Sequence, residues 1–135
     1  MRYCATVLAL LIVACDGSGP SDLAITVSAT RTSGGPLPPS FRVEATQLIV
    51  AGTIDLNEPC YDFAGSLEEV AADTLVVRLR ATRQNRPCPQ ELARFNYTLT
   101  VLGLKAGVQP LRLVYDRVGP PTFVEVAFEG AVDIR

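Results

Sequence analysis

The stretch TLVVRLRAT, residues 74–82, puts Leu75, Val77, Leu79 and Ala81 on one side and Arg78, Arg80 and Thr82 on the other. That two-residue period predicts a half-buried strand, because successive side chains of a strand point to opposite faces. The same alternation recurs along most of the chain. LAITVSA (23–29) is apolar at Leu23, Ile25 and Val27; FRVEAT (41–46) at Phe41, Val43 and Ala45; LIVAGTIDL (48–56) at Leu48, Val50, Ile54 and Leu56. RFNYTLTVL (94–102) repeats it with Phe95, Tyr97, Leu99 and Val101, and YDFAGSL (61–67), PLRLVYD (110–116) and TFVEVAFEGAVDI (122–134) read as further strands. The inward set changes from odd to even numbers near Gln47, which predicts a bulge or a tight turn there.

Turn-forming clusters separate these runs: SGGPLPPS, NEPC, RQNRPCPQ, GLKAG and VGPP. Seven or eight short strands at this spacing predict an all-β fold, a single antiparallel β-sandwich over residues 23–135. One segment argues against a strand. Ser66 followed by Glu69 fits a helix capping box ahead of Val70, Ala71 and Ala72, and allows a short helix of two turns at most before Asp73.

The predicted architecture resembles the immunoglobulin and fibronectin-III sandwiches of bacterial envelope proteins. The likeness is architectural only. The chain has no tryptophan, and Cys60 and Cys88 lie too close in sequence for the inter-sheet immunoglobulin bridge. Such a likeness carries no function.

The first 22 residues follow another pattern. After Met1 and Arg2, the twelve residues YCATVLALLIVA (3–14) carry no charge. A helix of that length rises about 18 Å, short of the roughly 30 Å hydrocarbon layer. It therefore fits the core of a cleavable signal peptide. The run ends on Ile12, Val13, Ala14 and Cys15, with DGSG directly after. This ending resembles the lipobox of bacterial lipoproteins, in which an aliphatic residue, a small or aliphatic one and a small one precede a cysteine at the polar boundary.

The resemblance implies cleavage before Cys15, lipid attachment to the Cys15 sulfur, acylation of the new amine, and loss of Cys4 with the signal. Each buried methylene contributes about 0.8 kcal/mol, so two or three acyl chains hold a protein at a membrane essentially permanently. Residues 16–22 (DGSGPSD) then form a flexible tether of at most about 23 Å. The implied organisation is a signal segment at 1–14, the lipidated cysteine and tether at 15–22, and the sandwich at 23–135. The implied address is a bacterial cell envelope, outside the cytoplasm, on an inner or outer membrane.

Composition excludes several chemistries. The chain has no histidine, so no Ser-His-Asp or Cys-His pair and no imidazole metal ligand can form. Net charge is −2, or −3 for a chain starting at Cys15, which does not suit a search for nucleic acid. Basic residues are eleven arginines and only Lys105.

With Cys4 removed and Cys15 lipidated, Cys60 and Cys88 remain, both in proline-containing turns. In an oxidising compartment they are expected to pair as a structural disulfide; a redox pair or metal ligation is the alternative, and no C-x-x-C supports it. Asp55, Asn57, Glu58 and Asp62 supply oxygens of the kind calcium uses, without EF-hand spacing, so a solvated acidic loop is the plainer reading. Acidic residues from Asp55 to Asp73 are followed by Arg78, Arg80, Arg83, Arg86 and Arg94. Cross-strand ion pairs on one wet face are expected from this order. An arginine patch at anionic lipid headgroups is the functional alternative.

These readings converge on a lipid-anchored, non-catalytic β-sandwich that serves as a membrane-proximal binding or structural module. An envelope protein would be its partner, met by an edge strand or by the turns at one end. A sandwich that holds a small ligand is the second reading, and a small enzyme or enzyme inhibitor the third. No catalytic residue, metal ligand, cofactor or oligomeric state is assigned. A deep pocket with perturbed acids would favour the later readings, and a filled core with Phe123 exposed would favour the first.

Overall fold

A computed structural model describes residues 23–70 and 73–135. The apolar run 3–14, Cys4, Cys15 and the tether 16–22 lie outside the described residues, as do Ala71 and Ala72. Eight strands follow in order: β1 (Ala24–Thr32), β2 (Ser40–Glu44), β3 (Gln47–Leu56), β4 (Tyr61–Val70), β5 (Thr74–Arg83), β6 (Ala93–Leu102), β7 (Gly107–Val118) and β8 (Phe123–Ile134). They form two four-stranded sheets, ordered β1-β6-β3-β2 and β4-β5-β7-β8. The all-β sandwich predicted from the alternation is the observed fold.

The alternation places the core as read. Leu48, Val50, Ile54 and Leu56 of β3, Leu75, Val77, Leu79 and Ala81 of β5, and Phe95, Tyr97, Leu99 and Val101 of β6 are all buried between the sheets. Leu111, Leu113 and Tyr115 of β7 complete the layer. The edges are closed by contacts between sheets. Phe41 of β2 meets Phe128 of β8 with ring centroids 4.4 Å apart, and a Cβ on Gly65 of β4 would lie 2.9 Å from Ile25 Cδ1 of β1.

One local feature meets the sequence reading, the tight turn expected near Gln47, and three depart from it. The parity change near Gln47 is a two-residue hairpin: Glu44 pairs with Gln47, and Ala45 sits at φ 53° in the turn rather than facing inward. The segment at Ser66 extends β4 to Val70 instead of starting a helix, because Ser66, Glu68 and Glu69 pair with Arg78, Val76 and Leu75 of a strongly β-forming partner. β8 carries an irregularity where Leu113 faces Phe128 but Val114 faces Val126, leaving Ala127 as an extra residue. Finally, β5 and β7 run parallel while every other pairing is antiparallel. Parallel neighbours need a crossover, and β6, placed in the opposite sheet, supplies it.

This topology gives the sandwich two unlike ends. The connections 33–39, 57–60, 84–92 and 119–122 gather at one end, as the pairings Thr32↔Arg94, Tyr61↔Arg83, Thr82↔Val118 and Arg117↔Phe123 require. The start of β1 lies at the other end, where Ala24 pairs with Leu102. A nine-residue strand such as β1 separates the two ends by about 30 Å.

Candidate binding cleft and the free edge of β8

β2 is only five residues long and β8 is twelve, so the facing edges of the two sheets do not match. Below, Phe41 and Phe128 close the gap. Above, residues 36–39 (PLPP) continue the line of β2 as a strap along β3. Leu37 holds it there: its N–H donates to Thr53 Oγ1 at 2.9 Å, and its carbonyl accepts from Thr53 N–H at 3.2 Å. Three of these four residues are prolines, which lack an N–H and so cannot extend a strand ladder.

Between the strap and the first half of β8 lies an open cleft of about 500 Å³. Its wall is mainly apolar, with Leu37, Ile54 and Phe123, and its polar groups are those of Thr53, Asp55, Tyr115, Arg117 and Glu125, of which Asp55 is held by Arg94. Arg117 is the unusual member. It is only 9% exposed, yet among the described residues no carboxylate lies within ion-pair reach of it. Its Nε donates to the Pro121 carbonyl at 3.2 Å, and its guanidinium carbon lies 4.3 Å from the centre of the Phe123 ring. An arginine stays charged in a protein, and a charge this far from water is ordinarily paired.

β8 ends its sheet and, among the described residues, has no strand on its outer side. Its first half exposes apolar side chains on both faces: Phe123 is 42% exposed toward the cleft, and Val124 and Val126 are 59% and 52% exposed on the outer face. Soluble sheets usually blunt such an edge with charge, proline or a cover. Glu125 is the one charged side chain in this stretch of β8.

The remaining sequence candidates fall elsewhere. Cys60 and Cys88 form a disulfide with Cα atoms 6.0 Å apart, at the same end as the cleft. It ties the residue before β4 to the β5–β6 connection. Next to it Glu58 is 2% exposed, accepts from Arg83 Nε, and takes a second hydrogen bond from Gln90 Nε2 at 3.0 Å. Asp55 receives Arg94 through two bonds of 2.6 and 2.8 Å, and this guanidinium holds its carboxyl below the usual carboxylate range. Asn57 accepts from Tyr61, and Asp62 from Gln84. The four oxygen donors weighed for calcium thus point to four different protein partners.

The ion pairs expected from the acid-then-arginine order do form between Asp55 and Arg94, Glu58 and Arg83, and Glu68 and Arg78. They do not share one wet face, since the first lies in the β1-β6-β3-β2 sheet and the second is buried at the loop end. The arginine cluster is likewise dispersed. Arg80 lies 2.9 Å and Arg78 3.8 Å from the buried Asp116, Arg83 serves Glu58, and Arg86 donates to Gln84 Oε1 at 2.5 Å. Arg117 was the residue that alternation could not single out. As an isolated arginine next to VGPP it carries no local sign that its neighbours leave it without a carboxylate.

No protein-family model, curated protein or solved structure matches this chain.

Proposed function

We propose that this protein is a lipid-anchored lipoprotein of a bacterial cell envelope, held at the membrane through Cys15, whose immunoglobulin-like sandwich is a non-catalytic module for binding a partner. The observation that carries the binding role is the run of Phe123, Val124 and Val126 exposed together on a free sheet edge beside the cleft, over a filled core. A surface patch of this kind marks an interaction site more often than a structural accident. The anchor rests on the lipobox resemblance at residues 12–15. The two parts fit each other, because the tether would enter at the start of β1, and the cleft and bare edge sit at the opposite end, about 30 Å farther from the lipid. The arginines contribute little to lipid contact, since most are already engaged by carboxylates.

The cleft also supports a second reading, a site for a small ligand, because about 500 Å³ is within the range of ligand pockets. Two measurements test the favoured reading. Cys15→Ser should move the protein from the membrane fraction to the soluble one and abolish the mass increment of lipidation; a variant that stays membrane-bound removes the anchor. A photo-crosslinking residue at position 124, in intact cells, should trap another polypeptide; a chain that never crosslinks from this edge removes the binding surface.

A further inference from the structure

Two features of the loop end are incomplete in the same place. Among the described residues, the outer edge of β8 has no neighbouring strand, and Arg117, directly across from Phe123 on β7, has no carboxylate within ion-pair reach. A single occupant completes both. We propose that β8 accepts an extended segment of a partner protein as an added strand along residues 123–127, and that an acidic residue of that segment, opposite Phe123, pairs with Arg117. The inference rests on the reading of this edge as the contact surface and names the chemistry of what binds there.

The geometry follows from sheet spacing. A strand added to β8 lies about 4.8 Å beyond it, and residues paired across two strands project to the same face. The residue opposite Phe123 therefore projects into the cleft. There it meets the guanidinium that already lies over the Phe123 ring, 4.3 Å from its centre. A carboxylate in that position meets a planar, fork-shaped donor already laid against the Phe123 ring, the geometry in which arginine pairs through two hydrogen bonds. Of the residues two positions to either side, one would lie beside Glu125 and the other beyond the start of β8. Residues on the other face would cover Val124 and Val126, whose exposure a small ligand in the cleft would leave unexplained. The recognised feature is thus one acidic residue within an extended segment, read by backbone pairing and one charge.

A second copy of this chain offers such an acid in its own β8, Glu125. Antiparallel pairing of two β8 edges would, however, point the two tether ends in opposite directions. A different polypeptide has no such constraint.

The test uses the full chain in detergent micelles and a labelled peptide, acetyl-Thr-Val-Leu-Thr-Glu-Thr-Leu-Val-Thr-amide, which presents one acid in a β-forming segment. We expect saturable binding by fluorescence anisotropy, at least tenfold weaker for the peptide with Gln in place of Glu, and weakened by salt. Arg117→Gln should bind the Glu and Gln peptides equally. Val124→Lys, a change on an exposed side chain that leaves Arg117 intact, should weaken both peptides alike. Equal binding of the two peptides to the unaltered chain, or none, overturns the proposal. So does full displacement by decanoate, which would mark a small-carboxylate site, or a dimer of the unliganded chain in sedimentation, which would mark a second copy as the occupant. If the peptides fail while position 124 still crosslinks to another polypeptide in cells, the strand-and-acid inference falls and the binding surface stands.

Discussion

The hydroxyls of Tyr97 on β6 and Tyr115 on β7 lie 2.5 Å apart, one from each sheet, with their rings edge to face and centroids 5.7 Å apart. Both are buried, so each supplies the other's hydrogen bond across the middle of the sandwich. Losing one partner strands the remaining hydroxyl, at a cost of about 1–3 kcal/mol, whereas losing both removes the need for the bond. Tyr115→Phe should therefore destabilise the domain clearly, and adding Tyr97→Phe should recover most of that loss. Urea midpoints of the two single variants and the double variant give the coupling directly.

The same pair should make the fold sensitive to alkali. Burial raises the ionisation of both phenols above their ordinary value of 10.0. An acid whose folded-state pKa is raised keeps its proton in the native state after the unfolded chain has lost it. Its stabilising contribution is complete below about pH 10 and is lost as pH rises through and beyond that value. Stability should fall above pH 10, with tyrosinate absorbance from Tyr97 and Tyr115 appearing together with unfolding. In the double Phe variant the decline should be shallower.

Glu58 and Glu91 both pair with an arginine, yet their surroundings differ. Glu58 is 2% exposed and loses its main counter-charge if Arg83 is removed, whereas Arg31 and Glu91 are each about half exposed. A buried carboxylate left unpaired costs several kcal/mol, and Arg83 is itself partly exposed, so Arg83→Met should cost about 3 kcal/mol. Arg31→Met should change stability by less than about 0.5 kcal/mol. Paired denaturant melts would contradict this account if the two variants behaved alike.

Gly119 adds a backbone condition to that buried pair. It sits at φ 138°, where an L side chain is strained, and a Cβ placed on it would come 2.7 Å from Arg83 Cβ. The obstruction is the stem of the arginine, close to the backbone, so it cannot swing away freely. Gly119→Ala should cost about 2–3 kcal/mol from strain and displacement together. It should be close to neutral in an Arg83→Gly background if the contact, rather than the backbone angle, is the larger part; a full loss there would assign the effect to φ.

Most of the architecture was legible because it follows from one period. Every inward residue named on β3, β5 and β6 is buried, since those strands lie inside their sheets and each has one face against the other layer. The features that escaped are the ones decided by neighbours distant in sequence. The parallel pairing of β5 with β7 depends on β6 crossing to the other sheet, which no local pattern encodes. Ser66 and Glu69 carry a genuine helix-start signal, overridden by a strand partner at residues 74–83. The disulfide was accessible because the lipobox resemblance implies that Cys4 and Cys15 are set aside, which leaves Cys60 and Cys88. The cleft was not, because it arises from a mismatch in length between β2 and β8 and from a strap that only contact with Thr53 holds in place.

The Cys60–Cys88 bridge closes a loop spanning 28 residues, and in the chain-entropy picture that constraint contributes about 3.5 kcal/mol by limiting the unfolded state. The native connection it secures has other supports. Gln84 N–H donates to the Cys60 carbonyl at 2.9 Å, Gln90 bonds Glu58, and Arg31 bonds Glu91. Because these contacts and the sheet pairing of β4 with β5 persist without the sulfur bond, the reduced protein should stay folded at room temperature with an unchanged far-UV spectrum. Its thermal midpoint should drop by about 15–25 °C, given a shift of roughly 4–8 °C per kcal/mol in a domain of this size. Melts with and without reductant, repeated on Cys60→Ser/Cys88→Ser, make the comparison. A midpoint indifferent to reductant would mean that the fold draws no stability from the bridge, and a reduced chain already unfolded at 25 °C would mean that the two sheets cannot hold together without it.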